Sequence, residues 1–85
     1  MDITGVKATI SRGDQAAQDG GALMQGVQGQ IEEARLLTAT TAHDSAHSEV
    51  EAATTRLHEA LRESSRVIEL LRSGGDSASD YASRL

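Results

Sequence analysis

The residues whose types and spacing could do chemistry lie together in "HDSAHSE", residues 43 to 49. His43 and His47 are four apart, a spacing that on one helical face turns both imidazoles toward a common point and suits zinc or nickel. Asp44 adds a carboxylate between them, so His43, His47 and Asp44 are the candidate metal ligands. The competing reading is a polar corner. Asp44 and Ser45 are helix-capping types, and Ser48 with Glu51 forms an S-x-x-E capping box that opens a helix. The corner is the better fit, because the third histidine, His58, falls beside Leu57 almost three turns further on. A small metal- or ligand-binding regulator built on this turn is the alternative, and no cofactor is expected.

Other catalytic patterns are weaker still. A nucleophilic Ser or Thr needs a base held by a third group, whereas the hydroxyl residues here sit at caps and on helix surfaces. Glu32 and Glu33 point to different helix faces. "GVQGQ" has glycines three apart but no strand before it, so it is not a phosphate loop. No enzyme is expected.

The elements that must position these residues are helices. The 85 residues make one domain, residues 1–85, near the lower size limit for a self-supporting core. There is no proline, and between Gln30 and Ser73 no glycine; Ala, Leu, Glu, Gln and Arg dominate that region. Strand alternation is absent, so the fold class is all-α. Sixteen Leu, Ile and Val residues, thirteen alanines and no Phe, Trp or Cys give a thin core without disulfides. Small proteins of this kind gain stability by association. A net charge of −5 without a basic face argues against nucleic acid. The N-terminus has no signal-peptide pattern, and no apolar run reaches the ~20 residues of a membrane span. A soluble cytoplasmic protein is expected, any secretion needing a route independent of a signal peptide.

Apolar or small residues follow a 3.5-residue period in two series. The first runs from Ile3, Val6, Ile10 and Gly13 to Thr38 and Thr41; the second runs from Val50, Ala53 and Leu57 to Tyr81 and Leu85. The phase breaks between Thr41 and Val50, so the chain reverses there. The reading is an antiparallel, coiled-coil-like two-helix hairpin. Helix 1 covers about 2–42 with a break expected near 19–21, the turn about 43–48, helix 2 about 49–73, and a short helical turn about 76–84 after a stop at Gly74–Gly75. Folding at Ser45–Ala46 sets Leu57 against Ala34, Ser64 against Val27, Leu71 against Gly20 and Tyr81 against Ile10, mostly large against small. Acid-first pairs such as Glu32–Arg35 and Glu69–Arg72 support the helices.

Apolar residues spill beyond this seam. Leu23 and Leu37 lie on one flank beside Leu70, and Leu61 and Ile68 on the other. One hairpin cannot bury both flanks. The expectation is a homodimer, or a pair with a related hairpin, completing a four-helix bundle through Leu23, Leu37, Leu61, Ile68 and Leu71. The implied role is a non-enzymatic accessory or adaptor acting by protein–protein interaction.

An Ala-rich heptad helix, a polar turn, a Glu/Arg-rich second helix and the ending "VIELLRSGGDSASDYASRL" resemble small actinobacterial helical-hairpin proteins of unassigned function. More distantly, the pattern is similar to WXG-type hairpins of type VII secretion. It lacks their Trp-x-Gly, and Leu85 stands where their export signal has an acidic residue after Tyr81. The resemblance implies a dimerising hairpin without catalysis and, as an alternative role, a secreted WXG-related protein.

Overall fold

A computed structural model describes residues 2–41 and 48–85. Two helices, α1 (Ile3–Thr41) and α2 (Ser48–Ser83), pack antiparallel along their whole length. Asp2 caps α1: its Oδ1 accepts the Thr4 N–H at 3.1 Å, while its carbonyl accepts the Val6 N–H. At the other end of the chain the Arg84 and Leu85 N–H groups reach back three residues, to the carbonyls of Tyr81 and Ala82, closing α2 in a tighter turn.

Both helices outlast the glycines expected to stop them. α1 passes through Gly20–Gly21 and α2 through Gly74–Gly75 with no positive φ at any described glycine. Intrinsic propensity predicts a stop at such a pair, each glycine costing about 1 kcal/mol against alanine. Tertiary contact overrides it. Gly75 is buried against α1, where an added Cβ would meet the Asp14 Oδ1 at 2.5 Å. The Asp14 Oδ2 in turn accepts the Ser79 hydroxyl at 3.2 Å, one turn beyond Gly75. Helix α2 therefore continues because its last turns have a partner.

The seam between the helices is rotated from the expected one. On α1 one series of covered positions runs Ile10, Asp14, Ala17, Gly21, Met24, Gln28, Ile31, Arg35 and Thr38, with Val6, Gly20, Glu32 and Ala34 beside it partly covered too. On α2 the series runs Val50, Thr54, Leu57, Leu61, Ser64, Ile68, Leu71, Gly75, Ala78 and Ala82, with Ala53 and Ala60 beside it partly covered too. Steps of three and four alternate along each series, the 3.5-residue period of helices packed side by side. Most of the expected positions stay covered, among them Ile10, Ala17, Gly20, Met24, Ile31, Ala34, Leu57, Ala60, Ser64, Leu71 and Ala78. The seam is shifted toward one edge, where Asp14, Gln28, Arg35, Leu61, Ile68 and Gly75 are covered, and Gly13, Val27, Val67, Gly74 and Tyr81 on the other edge are exposed. The alignment along the axis follows the size pairing, with Leu71 Cδ1 over Gly20 and Gln28 bonded to Ser65.

The result is a thin rod. It measures 64 × 15 × 14 Å with a radius of gyration of 19.1 Å, where a compact chain of this length has about 12 Å. Among the described residues no apolar side chain is buried, and Ser64, 3% exposed, is the most enclosed. Its hydroxyl donates to the Leu61 carbonyl at 2.7 Å, so this small residue lets the helices approach without an unpaired polar group.

Candidate association face

The two sides of the hairpin differ in chemistry, and the inner seam sets which residues each receives. One side is polar. Gln28 Nε2 donates to Ser65 Oγ at 2.7 Å, and Ser79 donates to Asp14, which also accepts Gln18 Nε2 at 3.2 Å. An open groove of about 350 Å³ lies on this side, rimmed by Asp14, Gln18, Gln25, Arg72 and Asp76 over a floor of Ala17, Gly21 and Leu71. Arg35 at the seam donates through Nε to Glu32 at 3.1 Å. That hydrogen bond holds the Glu32 carboxyl below its ordinary range and raises the Arg35 guanidinium. Glu69–Arg72 and Asp80–Arg84 pair along α2.

The opposite side carries a second series with the same three–four spacing, one residue off the inner seam. On α1 it reads Val6, Thr9, Gly13, Ala16, Gly20, Leu23, Val27, Gln30, Ala34 and Leu37, ten residues without a charge. On α2 it reads Ala53, Arg56, Ala60, Glu63, Val67, Leu70, Gly74, Ser77, Tyr81 and Arg84. This side stripe holds the most exposed apolar side chains near mid-length: Leu23 is 73% exposed and Leu70 60%, with Leu37, Tyr81, Val27 and Val67 also exposed. Between the helices it sinks into a shallow groove of about 260 Å³ lined by Ile10, Gly13, Ala17, Leu70, Leu71, Gly74, Gly75 and Ala78, with Asp14 reaching it from the seam. Gly13 and Gly74 leave open space where a side chain would stand. The face thus has leucine ridges beside glycine hollows.

The residues named from sequence separate between the two layers. Leu23 and Leu37 are on the open face with Leu70, while Leu61, Ile68 and Leu71 are partly covered inside the hairpin seam. The expected second flank of Leu61 and Ile68 is therefore part of the seam itself: the one-residue rotation that exposes Val67 turns these two inward. Val27, Val67 and Tyr81, at heptad positions expected in the seam, are exposed. The signal that points to their outward position is the uncharged second series on α1, parallel to the first.

His43, Asp44 and His47 lie outside the described residues. Among the described residues no three His, Asp or Glu side chains gather as a metal site would require, and His58 is exposed. No described helix is long and apolar enough to cross a membrane. Comparison with protein-family models, with curated proteins and with solved structures finds no match to this chain. The chain is a two-helix hairpin, and no family model or relative supports a relation to WXG-type proteins.

Proposed function

We propose that the chain is a non-enzymatic association module, a helical hairpin that docks its side-stripe face on another helical surface to complete a four-helix bundle. The observation that carries this is the exposed, uncharged stripe of α1, whose Leu23 stands level with Leu70 at mid-length. A helix in a bundle needs an apolar stripe wide enough for two neighbours. Each helix here uses one edge of such a stripe within the hairpin and keeps the other edge open. The surface supports the same reading. The chain exposes 6374 Å², against about 4,800 Å² for a compact monomer of 8.9 kDa. The excess of about 1,600 Å² is twice what one partner contributes to a standard interface. The reading assigns the chain no reaction.

A photo-crosslinking residue placed at 23 or 70, and as controls at Asp19 and Arg66, tests it in the source cells. Adducts from positions 23 and 70, with none from 19 or 66, are expected. Their absence at 23 and 70 overturns the association reading.

A further inference from the structure

The side-stripe face also carries information about its partner, because its ridges and hollows fit each other after a two-fold rotation. Resting on the association reading, we propose that the occupant is a second copy of this chain, docked antiparallel so that α1 lies on α1 and α2 on α2, with the two turns at opposite ends. The α1 stripe is small in one half (Gly13, Ala16, Gly20) and larger in the other (Leu23, Val27, Gln30). A two-fold axis between Gly21 and Ala22 sets Val27 of one copy over Ala16 of the other, and Gln30 over the open space at Gly13. Because Gly20 is level with Leu71 and Gln28 with Ser65, the same axis crosses α2 between Leu70 and Leu71. There it sets Val67 over Gly74 and Tyr81 over Ala60. Away from the axis, where the two Leu70 side chains meet, one axis gives large-on-small packing in both layers.

The other two-fold docking, with the hairpins side by side and turns together, lays α1 on α2. It stacks Leu23 on Leu70 and Val27 on Val67, large on large near mid-length. Net charge does not bar a second copy. Each chain carries −5, which would hold two copies apart if acids lined the contact. The α1 stripe has no charge, and the α2 stripe has Glu63 with Arg56 and Arg84, so the excess acid lies on the other surfaces. The face projects about 960 Å² per copy from its 64 × 15 Å outline, enough for a standard interface.

Sedimentation and spin-label distances test the proposal. The chain has no cysteine, so single cysteines at Lys7 and Ala22 take nitroxide labels without background. The expected mass is twice 8.9 kDa at high micromolar concentration. In the antiparallel dimer the Lys7 labels stand about 40 Å apart, and the Ala22 labels, near the axis, about 20 to 25 Å. Equal short distances at both sites overturn the arrangement. A mass of 8.9 kDa overturns the self-copy proposal, while adducts of position 23 with a different protein would leave the association reading standing. Gly74→Leu fills the hollow under Val67 of the other copy and is expected to weaken dimerisation more than tenfold with helicity kept. Gly26→Leu, on the outer surface, is expected to leave it unchanged; equal effects of the two would overturn the pairing.

Discussion

The inner seam and the side stripe share a period and run side by side on the same helices, yet on α1 their polar residues are distributed oppositely. The seam holds Asp14, Gln28, Arg35, Thr54 and Ser64 among its apolar residues. The outward stripe of α1 holds no charge at all. Polar seam positions are tolerated because each finds a partner near the edge: Asp14 takes Ser79 and Gln18, Gln28 takes Ser65, Arg35 takes Glu32, and Thr54 Oγ1 donates to the Val50 carbonyl at 3.0 Å. The stripe has leucines in water and nothing to cover them. Local hydrogen bonds and thin packing hold the hairpin in register, and under the proposed association the leucines of the stripe would add their apolar gain on docking.

Substitutions that strike one layer and spare the other separate the two roles. The largest effect belongs to the seam: Leu61→Asp with Ile68→Asp places two charges between the helices, and loss of helical ellipticity at all concentrations is expected. Leu23→Asp with Leu70→Asp strikes the stripe alone. Burying a leucine is worth ~1.5–3 kcal/mol, so association should fall more than a hundredfold in sedimentation, with dilute-solution helicity retained. If both pairs of changes gave the same unfolded chain, the division between layers would be lost.

Smaller changes sharpen the contrast. Asp14→Ala removes the tie to Ser79 beside buried Gly75 and should cost about 1 kcal/mol in urea unfolding, with the dimer fraction of the folded chain unaffected. Gly26→Ala and Gly29→Ala introduce methyl groups where nothing lies within 4 Å, so each should stabilise the helix by ~0.5–1 kcal/mol. The smallest effect is that of Glu32. Its carboxyl is held below the usual 4.5, chiefly by the Arg35 hydrogen bond, so its contribution is present above that pH and fades as the pH falls through the lowered folded value. Melting curves of Glu32→Gln and the unaltered chain should differ slightly at neutral pH and converge in acid, and should do so less at high salt.

The all-α class, the reversal between Thr41 and Val50 and the facing of Leu71 with Gly20 were legible in the sequence. They follow from strong and redundant signals: no proline, a long glycine-free stretch, and a 3.5-residue period whose phase breaks at a polar turn. The candidate face was legible in part. Leu23, Leu37 and Leu70 were readable as residues outside the seam, whereas Leu61 and Ile68 were read as flank residues and lie within it. The apolar stripe on each helix is three positions wide, and two adjacent seams can be drawn through it with equal regularity. Propensity also misjudged Gly74–Gly75, since it has no knowledge of the Asp14 carboxylate waiting across the helix pair.

Residue order alone thus determined that two long helices would form, that they would pair antiparallel, and roughly at which level. Tertiary structure decided which edge of the stripe turns inward and whether α2 survives its glycines. The physical reason is the same for both. Periodicity constrains a helix along its axis, but its rotation about that axis by half a position costs almost nothing locally. The choice is made by the sum of contacts with the other helix, among them the hydrogen bonds of Asp14 and Gln28 and the close approach at Gly75.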